Sequence, residues 1–534
     1  MAHTPTYPPV MTTAQSDVSE AAARIVTPAL VESLTSGVVG GGRTACHCPF
    51  TGERLAELPE ATPDEVADAF RRARAAQPAW AGRPVRERAR VALRFHDLLL
   101  RRQSEVLDLV QLETGKSRLS AHEEVQAVAM AARHYGRTAP GRLGERRHLG
   151  AIPLLTQVRE VRHPHGVVGH ISPWNYPLEL SAGDVLPALL AGNAVVMKPD
   201  TETALTALWA RRLMREAGLP EDVWTVVLGE GPVVGPAVVE HADYVTFTGS
   251  TRTGREVAQR AAARLIGASL ELGGKNALLV LRDADLDRAA EGAVRAAFSS
   301  SGQLCVSVER LLVDASVADD FLARFVARVE AMRLGPALDY GTDMGSLCSA
   351  AQLAAVTTHV EDAVARGAKV LAGGRHRPDL GPYFYEPTVL EGVTPAMRVC
   401  AEETFGPVVS VQRFTDEEQA VAIANDTPFG LNASVWSRDS RRAGRLAHRL
   451  RTGTVNINEG YAAAYGSVAA PMGGMRDSGL GRRHGADGLL KYTEPQTVAR
   501  QRLLPLAPSH GLDDRRYAAL ISRSLRALKS LGVR

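Results

Sequence analysis

The sequence predicts an α/β protein built on doubly wound parallel sheets. Short β-branched runs recur through the middle of the chain, each followed by a stretch with helical spacing, and strands that alternate with helices pair in parallel. Glycine-containing turns follow several of these runs, at the carboxyl strand ends where such sheets bind ligands. The 534 residues, 45% hydrophobic and 23% charged, are too many for one small core and too apolar for a disordered chain. At roughly 150 residues per domain, about three structural units are expected.

Composition narrows the function classes. Lysine and arginine number 62 against 59 acidic residues, a net charge of +3, which gives no broad basic footprint for nucleic acid. No apolar stretch approaches the roughly 18 residues needed to span a bilayer, and the N-terminus lacks a basic-then-apolar leader, so a cytoplasmic protein is expected. The five cysteines, Cys46, Cys48, Cys305, Cys348 and Cys400, are odd in number and scattered, which predicts thiols rather than a disulfide framework.

In chain order, residues 1–25 are rich in Pro, Thr and Ser and read as a flexible extension. Thr62 before Pro-Asp-Glu signals a helix start, and VRERARVALRFHDLLLRRQ reads as amphipathic helix. Strands are expected at 166–172, 194–199, 223–229, 244–249 and 276–281. Between them, ETALTALWARRLMREAGLP places Leu205, Leu208 and Trp209 on one helical face and stops at Gly218 before Pro220. A second α/β stretch follows, from about 275 to 475, with strands at 310–314 and 368–374. Near the end, Tyr517, Leu520, Ile521, Leu525, Leu528 and Leu531 recur at helical spacing opposite Arg515, Arg516, Arg523, Arg526 and Lys529. This basic amphipathic helix is expected to dock on its own or a neighbouring subunit, ahead of an anionic membrane surface.

Several residues could carry chemistry. GEGPVVG (229–235) and FTGSTRTG (247–254) resemble nucleotide-binding turns without matching the G-x-G-x-x-G spacing. Lys198 sets a cation at a carboxyl strand end, and Glu271 precedes the Gly273-Gly274 pair, which permits close approach of a ligand. Cys305 stands near the start of a later element, and Asn175 sits between two prolines where its amide could donate to an oxyanion. Cys46-His47-Cys48 and His163-Pro164-His165 lack a second ligand pair at zinc spacing, so no metal is expected.

Seven motifs in order, PWNYP, VMKPDT, FTGSTRTG, LELGGKN, GQLC, EETFGPV and PMGGMRDSGLGRRHG, make residues 45–500 similar to the NAD(P)-dependent aldehyde dehydrogenase superfamily. Within it, the chain most resembles the bacterial, particularly actinobacterial, succinate-semialdehyde dehydrogenases of NADP type. The resemblance implies that Cys305 attacks the aldehyde, that Asn175 and the Cys305 N–H hold the oxyanion, and that Glu271 activates the water that hydrolyses the thioester. It also implies a dinucleotide held by Trp174, Asn175, Lys198, Pro199, Asp200, Thr201, Gly249, Ser250, Leu272 and Glu403. Thr201 stands where NAD-preferring members often carry a glutamate, so NADP is expected, with NAD the alternative.

Substrate choice is less directly written. The two arginines that grip the distal carboxylate in well-known succinate-semialdehyde enzymes fall at Gly183 and Ser299 here, with Arg295 a substitute candidate. Tyr461 and Tyr465, in the loop that borders the family's substrate tunnel, would suit a longer apolar or aromatic aldehyde. Glu271 argues against a CoA-acylating relative, and the joint presence of Asn175, Glu271, Cys305 and Glu403 against a non-catalytic scaffold or binding protein. Arg482, Arg483 and His484 are expected in a solvated or intersubunit turn. The domains expected are a cofactor-binding part (26–148 and 167–273), a catalytic part (274–475), a small β element for homodimer or homotetramer formation (149–166 and 486–502) and a C-terminal tail (503–534).

Overall fold

A computed structural model of the chain describes residues 12–151, 155–502, 505–509 and 511–532. Two mainly parallel sheets dominate it. The first has six strands in the order Gly479–Leu480, Gly267–Glu271, Tyr244–Thr248, Val167–Ile171, Ala194–Lys198 and Trp224–Val226, all parallel except the first. The second has seven, in the order Lys369–Ala372, Thr388–Glu391, Val408–Phe414, Val308–Asp314, Asn276–Val280, Asn432–Trp436 and Thr454–Ile457, with only the Lys369–Ala372 edge antiparallel. The expected two α/β units thus have one sheet each.

The central strands form where apolar residues run without alternation. Val167–Ile171, Ala194–Lys198 and Asn276–Val280 are buried at every position because helices cover both sheet faces. Helix Ala204–Glu216 buries Leu205, Leu208 and Trp209, and the chain leaves it through Gly218 at φ 104°. Helix Pro63–Ala81 begins at the expected signal: Thr62 caps it and Glu65 reaches back to the Thr62 N–H.

A third sheet is antiparallel, with Thr156–Pro164 between Arg146–Leu149 and Thr493–Gln501. It places His163 and Pro164 at the end of its central strand.

Two expectations are corrected. Of the extension expected to be flexible, residues 1–11 lie outside the described residues, but Thr13–Ile25 is a helix. Thr12 accepts the Gln15 N–H while Gln15 accepts the Thr12 N–H, a capping box in a segment read only for its Pro and Ser content. The C-terminal helix, Asp514–Ser530, forms as predicted but buries none of its residues, so it is not docked on its own subunit. No described helix is long and apolar enough to cross a membrane.

Candidate active site

The six-stranded sheet delivers most of the predicted residues to its carboxyl edge. Val167–Ile171 leads to Trp174 and Asn175, Tyr244–Thr248 to Gly249 and Ser250, and Gly267–Glu271 ends on Glu271, next to Leu272. From Val167–Ile171 the chain winds outward through Ala194–Lys198 and Trp224–Val226, then returns on the other side as Tyr244–Thr248. That reversal opens a crevice at the strand ends. A cavity of about 270 Å³ lies there, lined by Trp174, Asn175, Gly249, Glu271, Cys305 and Glu403, with Ser250 and Leu272 beside them. Lys198 ends the adjacent strand and Pro199, Asp200 and Thr201 follow it; none of the four lines this cavity.

Cys305 reaches the cavity from the other sheet. Between helix Leu286–Phe298 and strand Val308–Asp314, the turn Ser299–Gly302 holds Ser300, Ser301 and Gly302 at φ 52°, 57° and 70°. Left-handed serines cost of order 1 kcal/mol each, so neighbours must hold them. The Ser300 N–H donates to Ser120 Oγ (3.1 Å), Tyr176 and Ser300 share a hydroxyl bond (2.8 Å), and Ser301 donates to the Gly345 carbonyl (3.1 Å). Past the turn, Asn175 donates to the Gln303 carbonyl (3.0 Å) and Asn276 to the Cys305 carbonyl (2.8 Å), fixing the backbone on both sides of the thiol.

That fixation leaves two donors unspent. The second Asn175 amide hydrogen and the Cys305 N–H have no acceptor among the described residues. Asn175 is itself pinned, because Lys116 Nζ donates to its carbonyl (2.6 Å) and to Glu124 (2.7 Å), which accepts the Leu178 and Glu179 N–H groups.

The acids and the thiol have environments that oppose charge. Burial pushes the Glu271 carboxyl up to about 7, against the pull of Arg483 and Lys491, and its Oε1 has no partner among the described residues. Burial pushes the Cys305 thiol up to about 12; Arg483 draws it down, while Glu271, Glu403 and Glu179 add to the rise. Glu403 accepts the Gly274 N–H (2.8 Å) and is raised to about 8 by burial and by neighbouring Glu309.

The residues around this cavity fit a dinucleotide. A Cβ at Gly273 would lie 2.2 Å from Glu403 Oε2, and one at Gly249 would lie 2.6 Å from the Phe247 ring, so a side chain at either position would have to displace a neighbour. Ser250 caps helix Thr251–Ala263, and such a helix start suits a phosphate.

Several predicted residues stand differently from expectation. Arg483 and His484 are buried rather than solvated or intersubunit, and Arg482 donates to the Gly474 and Gly481 carbonyls. On the substrate side, Gly183 closes a buried turn. Ser299 and Arg295 line a separate cleft of about 770 Å³, where Arg295 is already paired with Glu459. Tyr461 donates to Glu123 (3.0 Å) and packs with Tyr176 and Leu180 in an apolar cluster that Cys305 and Tyr465 join. Cys46 and Cys48 are buried to either side of exposed His47, their thiols pushed up by burial. Among the described residues no cluster of three His, Cys, Asp or Glu could hold a metal.

The profile of the aldehyde dehydrogenase family matches residues 39–498, which span both sheets and every residue of the cavity. The chain belongs to that family. A putative succinate-semialdehyde dehydrogenase, NADP(+), of Mycolicibacterium smegmatis is 52% identical over 482 residues, covering 90% of this chain and 93% of that protein. Among solved structures, the NAD-dependent aldehyde dehydrogenase of Sinorhizobium meliloti is similar with a TM-score of 0.84 and 36% identity, covering 88% of this chain and 93% of that one. PnpE in complex with nicotinamide adenine dinucleotide gives a TM-score of 0.83 at 36% identity, covering 88% and 96%. This aldehyde dehydrogenase therefore has the family's α/β fold along almost its full described length.

The charges that hold the site, Lys116, Glu124, Glu179, Asp184 and Arg483, were not found from the sequence. A signal did exist for Lys116, whose ETGKS stretch closes a helix buried at every position from Leu109 to Thr114. A lysine there needs an internal partner.

Proposed function

We propose that this aldehyde dehydrogenase oxidises succinate semialdehyde to succinate with NADP, as a cytoplasmic homodimer or homotetramer. The observation that carries the reading is that Cys305, Glu271, Asn175 and Glu403 share one cavity, although they come from four separate stretches of sequence. In this reading the Cys305 thiolate attacks the aldehyde carbon to form a thiohemiacetal. The free Asn175 amide hydrogen and the Cys305 N–H take its oxyanion, a donor arrangement worth about 3 kcal/mol per hydrogen bond in related chemistry. A bound nicotinamide dinucleotide supplies the hydride acceptor. Glu271 then takes a proton from water as the water attacks the Cys305 thioester, and the carboxylic acid leaves as the thiol is restored.

For the cofactor, Trp174, Gly249, Ser250, Leu272 and Glu403 would hold the nicotinamide and phosphate end, while Lys198, Pro199, Asp200 and Thr201 would hold the adenosine end. Thr201 brings no carboxylate to repel a 2′-phosphate, and it donates to the Gly229 carbonyl (3.3 Å). The antiparallel sheet of Arg146–Leu149, Thr156–Pro164 and Thr493–Gln501 would join subunits; its last strand is exposed along most of its length.

Succinate semialdehyde is supported by the name of the M. smegmatis relative. A second reading, a longer apolar or aromatic aldehyde, is favoured by the Tyr176, Leu180, Tyr461 and Tyr465 surround and by the engagement of Arg295 with Glu459. The deciding experiment is kcat/KM for succinate semialdehyde and for neutral aldehydes of equal and greater length, with NADP and with NAD. A higher value for neutral aldehydes selects the second reading, and a higher value with NAD reverses the cofactor assignment. Undiminished turnover in Cys305→Ala would overturn the mechanism itself.

A further inference from the structure

Behind Glu271 the chain buries a set of charges that the reaction steps above do not use. Arg483 is 5% exposed, and its Nη2 donates to both Glu179 and Asp184, at 2.8 Å to the latter. Its Nε has no partner among the described residues, and neither do Glu271 Oε1 or His484 Nδ1, while the Tyr465 hydroxyl lies close enough to Glu179 to act on it. Buried polar atoms without partners call for an explanation, and a catalytic role is one of the few that apply.

The backbone shows that this neighbourhood is the active site. Arg483 exchanges both main-chain hydrogen bonds with Met472 (2.7 and 2.8 Å), and Met472 packs in the apolar cluster that Cys305 joins. At Gly473, next in sequence, a Cβ would lie 3.2 Å from Glu271 Oε1. Gly479–Leu480 pairs with Leu270–Glu271 as the sheet edge. Residues 472–484 therefore wrap the base, and Tyr465 brings its ring to His484 at 6.4 Å from the Cys305 side.

We propose that Arg483, clamped by Glu179 and Asp184, is the positioning cation of this site, favouring the charged forms of Glu271 and Cys305 against the burial that opposes them. The inference rests on the roles given above to Cys305 and Glu271. Glu271 faces Arg483, Lys491 and Arg482 as cations and Asp184 as an anion. Around Cys305 the leading cation is Arg483, set against Glu271, Glu403 and Glu179. Lys491 is tethered elsewhere, to Ser269 Oγ at 2.9 Å. A buried anion beside other anions stays protonated unless a cation is held close by. The two carboxylates of the clamp keep the guanidinium from turning away.

The test is the pH dependence of Cys305 alkylation by iodoacetamide, followed on the Cys305 peptide by mass spectrometry. It uses the full-length parent, Arg483→Gln, Arg483→Lys and Glu179→Gln. Arg483→Gln should move the inflection to higher pH and slow alkylation at neutral pH by about tenfold or more, because an inflection displaced by about one pH unit leaves roughly a tenth of the thiolate. Arg483→Lys, which keeps the charge, should restore most of the rate, and Glu179→Gln, which frees one side of the clamp, should move the inflection up by less than Arg483→Gln does. An unchanged inflection in Arg483→Gln, or a downward movement in Glu179→Gln as expected for the loss of a bystander anion, overturns the proposal. If Arg483→Gln does not fold, Glu179→Gln decides: an upward movement supports the clamped cation, and any other result ends it. Alkylation needs no aldehyde and no dinucleotide. A protein inert toward every aldehyde that still showed these pH effects would therefore fail the functional reading and keep this one.

Discussion

Glu271 pays a measurable stability cost for its place beside the thiol. Its carboxyl is raised from 4.5 to about 7, so the folded protein disfavours its charged form by on the order of 3 kcal/mol. The sign follows from the direction of the change. The cost is full above about pH 7, shrinks as pH falls, and vanishes below the unfolded value near 4.5. Glu271→Gln should therefore raise the thermal midpoint relative to the parent at pH 8, with the gap closing toward pH 4.5; a gap independent of pH would contradict this. The same substitution should leave the first-turnover burst of reduced nicotinamide intact while steady-state turnover falls by roughly a hundredfold or more. In the parent, turnover limited by thioester hydrolysis should rise through pH 7, and that rise should be absent from the variant. At this scale, Cys305, Asn175, Glu271 and Glu403 were legible because each sits in a short motif with its own chemistry. Arg483 was not, since two arginines in a glycine-rich turn look solvated until Glu179 and Asp184, some 300 residues earlier, are brought against the second of them.

Among the elements, the turn before the nucleophile is the most constrained. A Cβ at Gly302 would lie 2.1 Å from the Gly406 carbonyl oxygen, and the backbone there has φ 70°. Gly302→Ala should cost several kcal/mol and displace the thiol, so both the thermal midpoint and the burst should fall. A variant with normal burst amplitude would show that the turn can relax without moving Cys305. The sequence discloses the central strands well because burial on both faces makes them continuous apolar runs. It discloses edge strands poorly: Arg146–Leu149 is exposed throughout, and Gly479–Leu480 has only two residues, so neither carries a periodic signal. Helix Thr13–Ile25 was missed for a different reason, since its Thr12 and Gln15 cap signal was present and was outweighed by composition.

Across the whole molecule, the two ends of the C-terminal region differ in what they hold. Helix Asp514–Ser530 buries no residue, so deleting residues 505–534 should leave kcat and KM unchanged; a fall in kcat would mean that the helix is covered in the assembly. The segment before it is tied into the site. Tyr492 shares a hydroxyl bond with Thr246 (3.2 Å) and accepts from Asn193 through its carbonyl (3.0 Å), while Lys491 reaches Ser269.

That segment also sets the order in which the site is assembled during synthesis. Both reacting side chains are in the chain by residue 305, but the edge strand Gly479–Leu480, Arg483 and Lys491 emerge from the ribosome only near the end. A nascent chain therefore carries its cysteine before the residues that enclose it are made. Until then Cys305 is a solvated thiol, more ionised than the buried one, and it is the late closing of the site that shields it from stray electrophiles.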